Sequence, residues 1–78
     1  PGSFISLEKR QIKILSAAVS RKEHQEREGR ILALDALSLQ VACGLGTILE
    51  ITSIQPEGKK AMTPWQYSLG NRLPELLP

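Results

Sequence analysis

Five short aliphatic runs, each closed by a polar or glycine-bearing break, limit what this chain can fold into. Phe4-Ile5-Ser6-Leu7 and Ile12-Lys13-Ile14-Leu15 flank the polar Glu8-Lys9-Arg10-Gln11, which reads as two strands around a turn of about four residues. Residues 31–34, 39–43 and 47–54 supply three more runs, separated by a break at Asp35-Ala36 and a Gly44-Leu45-Gly46 turn. Runs of this length and spacing fit a small antiparallel barrel. Residues 20–28 hold no aliphatic side chain, so that stretch reads as an exposed loop or a solvated turn of helix. Pro56-Glu57-Gly58 ends the last run, because proline cannot donate to a ladder and glycine frees the backbone. Thr63-Pro64 then supplies an N-cap oxygen and a first-turn proline, and Gln66 completes a capping box. The helix expected over 65–69 is too short to persist alone. It must pack, and Met62, Trp65 and Leu69 are the candidate face. Residues 73–78 contain two prolines and are expected to form an extended tail.

A chain of 78 residues is one small domain. One Cys and one His provide no disulfide framework and no Cys/His metal cluster. Cys43 alternates with Val41 and Leu39 and reads as a small buried hydrophobe. His24 falls in the polar stretch and reads as a solvated loop residue. A Cys/His nucleophile pair needs both groups in hydrogen-bond reach with a third to orient the base, and nothing in the spacing provides that. Gly44-Leu45-Gly46 lacks the third glycine and the following helix of a dinucleotide loop. No catalytic residues and no metal ligands are therefore assigned. No apolar run approaches the ~18 residues that span a bilayer. The chain opens Pro1-Gly2 with no Met, which points to a piece of a longer protein.

The net charge of +2 conceals an uneven distribution. Lys9, Arg10, Lys13, Arg21, Lys22, Arg27 and Arg30 crowd the first part against Glu8, Glu23, Glu26 and Glu28, whereas residues 31–55 carry only Asp35 and Glu50. Lys59, Lys60 and Arg72 follow, against Glu57 and Glu75. Such segregation is the kind of footprint a polyanion recognises, although charges also collect in any solvated loop.

Gln55-Pro56-Glu57-Gly58-Lys59-Lys60-Ala61-Met62 resembles the Leu-Gln-Pro-x-Gly-Lys-Lys-x-Met segment near the C-terminus of methionyl-tRNA formyltransferases. Four further segments fall in register with that family's C-terminal domain. Pro1-Gly2-Ser3-Phe4 is similar to its Pro-Gly-Ala-(Phe/Tyr) opening, and Ile12-Lys13-Ile14 with Ala17 to its Leu-Lys-Ile…Ala strand. Val41-Ala42-Cys43-Gly44-Leu45-Gly46 resembles Val-Ala-Cys-Gly-Asp-Gly, and Tyr67 to Gly70 stands where Phe-Leu-Asn-Gly is usual. Departures include Leu45 in place of the turn aspartate and Glu28-Gly29-Arg30 in place of Pro-Gly-Thr/Glu. Ser68 and Leu69 likewise replace Leu and Asn in the terminal helix.

The resemblance implies a mainly β fold, an OB-like barrel of five to six strands with one short C-terminal helix, over residues 1–72. The catalytic domain that transfers a formyl group from 10-formyltetrahydrofolate would precede it and is absent from this chain. The barrel itself needs no cofactor. Its implied partners are initiator Met-tRNA and the N-terminal formyltransferase domain, in the cytoplasm and with no membrane. Lys9, Arg10, Lys13, Arg21, Lys22, Arg27, Arg30, Lys59 and Lys60 are the expected nucleic-acid-binding residues, meeting backbone phosphates that position the RNA and carry little sequence information. Related barrels in sugar-nucleotide formyltransferases and formyltetrahydrofolate dehydrogenases imply a second possibility, a packing unit without an RNA role. Cations scattered over the surface would favour it. A third reading is a protein-interaction module using Leu45 and the 73–77 leucines as an apolar patch.

Overall fold

The computed structural model describes residues 3–7, 9–20 and 23–77. Strands β1 (Ser3–Leu7), β2 (Arg10–Ser20), β3 (Ile31–Leu34), β4 (Leu39–Ala42) and β5 (Ile48–Pro56) form one antiparallel sheet of five, ordered β1-β2-β5-β4-β3. One helix, α1 (Pro64–Gly70), follows. β1 and β3 form the edges, and β5 fills the gap that the polar 20–30 stretch leaves between β2 and β4.

Alternation along the strands sorts side chains between core and solvent. Ile5, Ile12 and Pro56 stand side by side across β1, β2 and β5, and so do Phe4, Lys13 and Gln55 one position away. The first row faces the core, where Ile12 is wholly buried. The second row faces out. Leu7 from β1 and Leu39 and Val41 from β4 share one apolar cluster with Ile51, Ile54 and Tyr67, so the sheet curls around a single core. Ile12 and Ile51 are the best-covered side chains of its strands, each stabilising the fold by about 1.5–3 kcal/mol.

The first hairpin is tighter and its second strand longer than the residue pattern predicts. Leu7 pairs with Arg10, so two residues connect the strands instead of four, and Lys9 takes a left-handed φ of 67°. β2 runs on through Ser16-Ala17-Ala18-Val19-Ser20 because β5 pairs with it as far as Ser20–Ile48. Register slips on both sides of Ser16, where the Thr52 hydroxyl donates to the Ser16 carbonyl at 3.3 Å.

The helix carries the expected cap and a different packed face. Thr63 Oγ1 accepts from the Gln66 N–H at 3.1 Å, and Gln66 Oε1 accepts from the Thr63 N–H at 3.0 Å. Pro64 and Tyr67 are the buried helix residues, while Trp65 is 41% exposed and Leu69 more so. Trp65 and Leu69 are therefore not the packing face. Met62 does pack on the core, because its backbone pairs with Ile54 of β5 through bonds of 2.8 Å in both directions. That bridge sets the helix rotation and turns Tyr67 inward.

The tail is extended and also docked. Ile31 donates to the Glu75 carbonyl at 2.9 Å and Leu77 to the Gly29 carbonyl at 2.8 Å, an antiparallel bridge centred on Arg30 and Leu76. Leu77 is buried and Leu73 packs on the core. Leu73 and Leu77 are thus turned to the core and are not offered with Leu45 as an exposed apolar patch; Pro78 lies outside the described residues.

Candidate nucleic-acid interface

The β2–β5 register decides where the cations go. Ile12 lies opposite Pro56, so the chain preceding Ile12 and the chain following Pro56 emerge at the same end of the sheet. Lys9 and Arg10 therefore lie at the same end of the sheet as Lys59 and Lys60, and Lys13 stands one row inward. The Glu57 N–H donates to the Gln11 carbonyl at 3.3 Å, and Lys59 N–H to the Pro56 carbonyl at 3.0 Å. Gly58 at φ 75° closes this turn, and the Gln55 side-chain amide donates to the Lys59 carbonyl at 3.1 Å. The Lys-Lys loop is thus tied to the first hairpin by the backbone bond from Glu57 to Gln11. Lys9, Arg10, Lys13, Lys59 and Lys60 are all exposed, and among the described residues no ion pair engages any of them. Two acids stand near them in sequence, Glu8 and Glu57. Exposed cations at one end of a sheet raise the local positive potential, and a polyanion that binds there releases counterions.

A groove of about 250 Å³ opens on the outward face beside this cluster, lined by Phe4, Gln11, Lys13, Gln55, Pro56, Glu57 and Gly58. Phe4 is 57% exposed. Gln11, Gln55 and Phe4 are not among the site residues that charge alone indicates. Their signal lay in the strand alternation, which puts Gln11 and Lys13 on the face opposite Ile12, but the neighbours from β1 and β5 are known only once the register is.

The model of the family described as "Formyl transferase, C-terminal domain" matches residues 1–72. The chain belongs to that family. Among similar proteins are methionyl-tRNA formyltransferases of Latilactobacillus sakei subsp. sakei (strain 23K), 34% identical over 90% of this chain and 22% of that protein, and of Lysinibacillus sphaericus (strain C3-41), 31% identical over the same shares. That of Rickettsia canadensis (strain McKiel) is 34% identical over 94% of this chain and 23% of its own length. The chain thus spans under a quarter of these relatives.

Arg27 and Arg30, also expected as site residues of this formyl transferase C-terminal domain, do not join the cluster. Ser20 pairs with Ile48 at the start of β5, and the His24 N–H donates to the Gly46 carbonyl at 3.1 Å. The loop carrying Arg27 and Arg30 therefore lies at the opposite end, about 26 Å away along a nine-residue strand. Arg30 Nε meets Glu26 Oε1 at 3.1 Å, both half-exposed, a pair worth about 0–1 kcal/mol. Described residues 23–30 hold more acids, Glu23, Glu26 and Glu28, than cations. Arg21 and Lys22 lie outside the described residues.

His24 is a latch and not a solvated side chain. Its Nδ1 accepts from the Glu26 N–H at 3.0 Å, which leaves Nε2 as the donor to the Cys43 carbonyl at 2.9 Å. Both ring nitrogens are engaged with backbone, so His24 positions the loop on the β4–β5 connection and has no lone pair to offer as a base. Cys43 is half-buried, short of the full burial its alternation predicts, because β4 ends at Ala42. Asp35 caps the β3–β4 turn. Its Oδ1 accepts from the N–H groups of Leu37 at 2.8 Å and Ser38 at 3.0 Å, and these bonds hold its carboxyl below the usual value. Among the described residues no group of three or more His, Cys, Asp or Glu is placed to hold a metal, and no helix is long and apolar enough to cross a membrane.

Proposed function

We propose that this chain is the C-terminal, tRNA-binding accessory domain of a methionyl-tRNA formyltransferase, its curled sheet serving as that enzyme's OB-like barrel. The observation that carries this reading is the gathering of Lys9, Arg10, Lys13, Lys59 and Lys60 at one end of the sheet. The relatives' names supply the RNA. In this reading the cations take phosphates of initiator Met-tRNA and hold it for an N-terminal domain, which transfers the formyl group from 10-formyltetrahydrofolate in the cytoplasm. The role of the barrel is retention and orientation, so its loss weakens substrate binding more than the chemical step.

The test compares two pairs of substitutions in tRNA titrations at fixed salt. Lys59→Ala with Lys60→Ala should weaken binding at least tenfold, and Arg27→Ala with Arg30→Ala less than threefold, by the unequal charge of the two ends. Equal losses, or no binding of tRNA by the unsubstituted domain, would favour a packing barrel whose cations serve only solubility.

A further inference from the structure

We propose that the groove beside the cationic end holds one unpaired nucleobase of the RNA, stacked on the ring of Phe4, while the flanking cations take the phosphates on either side. The proposal rests on the RNA-binding reading of this surface and adds a recognition element that phosphate contact alone does not need.

Phe4 is the starting point. Its ring sits on the outward face, more than half exposed, directly across from Lys13, which is itself across from Gln55. An exposed aromatic ring on an edge strand, beside a cation and with an amide one strand further on, is a stacking platform of the kind that sheet-based RNA binders use, with bases laid on the ring and their edges met by polar side chains. Gln11 carries one acceptor and two donors, and Gln55, one of whose N–H groups is bonded to the Lys59 carbonyl, keeps its carbonyl oxygen and a second N–H, enough to meet the edge of a base. Pro56 also lines the groove.

Size and charge select the occupant. At about 250 Å³ the groove falls below the roughly 300–1,000 Å³ of pockets that enclose drug-sized ligands, and it suits a single planar ring system. Glu57 lines it, and a carboxylate repels phosphate, so the phosphates belong outside, on Lys9, Arg10, Lys59 and Lys60. A neutral base between two phosphates satisfies both conditions. A base-paired nucleotide does not, because its face is already covered by its neighbours in the stack.

Fluorescence anisotropy with two labelled probes tests this, an oligoadenylate of about ten nucleotides and an RNA duplex of similar length. Phe4→Ala should lower affinity for the oligoadenylate about tenfold and leave the duplex unchanged, given the stacking contribution per base. Phe4→Tyr should retain binding, and Phe4→Leu, which keeps apolar bulk on the strand without a π face, should behave as Phe4→Ala does. Lys59→Ala with Lys60→Ala should weaken both probes. If Phe4→Ala and Phe4→Leu bind oligoadenylate as the unsubstituted domain does, the groove proposal fails while the cationic surface stands. Equal weakening of both probes also overturns it, since that marks Phe4 as structural. Absence of binding to either probe at low salt overturns the surface reading and the groove together.

Discussion

Gly29→Ala should undo the docking of the C-terminal tail, and its cost can be worked from the structure. Gly29 sits at φ +92°, and a methyl group there would come within 2.7 Å of the Leu77 carbonyl oxygen. The same glycine accepts from the Leu77 N–H at 2.8 Å, so the strand cannot retreat without breaking that bond. Positive φ alone costs an alanine about 1 kcal/mol. Relief of the clash releases Leu77, whose burial contributes about 2 kcal/mol, and two backbone bonds, to Gly29 and from Ile31, of about 1 kcal/mol each. The expected destabilisation lies between about 2 and 5 kcal/mol, a large share of what a small domain possesses. Urea unfolding followed by circular dichroism measures it. A double-mutant cycle separates the causes: in a chain ending at Glu75 the clash is gone, and Gly29→Ala should cost only the backbone strain of about 1 kcal/mol. An equal cost in both backgrounds would refute the role assigned to the tail.

Three other substitutions probe the scaffold. Leu45 is fully exposed with φ 60°, so Leu45→Asn should stabilise the domain by about 0.5–1 kcal/mol, read as a higher urea midpoint. Thr63→Ala removes one arm of the capping box and should destabilise by about 0.5–2 kcal/mol in the same assay. The Asp35 carboxyl titrates below its unfolded value, so its contribution is full above a pH of about 4 and is lost as pH falls through the folded pKa. Asp35→Asn keeps an acceptor for the turn, and it should flatten the acid limb of the stability profile.

The sequence disclosed those features whose cause is local. Ile31–Leu34 is a strand as its run of aliphatics indicates, and Thr63, Pro64 and Gln66 announce the helix because a capping box involves only neighbours. Features set by distant partners were not legible. β2 extends through the small residues 16–20 because β5 pairs there, and Tyr67 replaces Trp65 in the core because the Met62–Ile54 bridge fixes the helix rotation. Leu77 is buried because Gly29 leaves room for its backbone. His24 stands in a stretch without aliphatics, which reads as solvent-exposed, yet its ring reaches a carbonyl 19 positions away. The candidate site divides along the same line. Its cations were all visible as residues, but the separation of Lys9, Arg10, Lys13, Lys59 and Lys60 from Arg27 and Arg30 follows from the strand order. Lys9 and Lys60 share one end of the sheet only because β5 inserts beside β2.

The salt dependence of tRNA binding tests the central claim most directly. If Lys9, Arg10, Lys13, Lys59 and Lys60 all meet phosphates, affinity should fall roughly 10²–10³-fold between about 50 and about 200 mM salt. Lys59→Ala with Lys60→Ala should reduce the slope by about two, leaving a fall of roughly 40-fold. A slope near zero in the unsubstituted domain, or one that these two substitutions leave unchanged, would contradict the assignment of this end of the sheet to RNA.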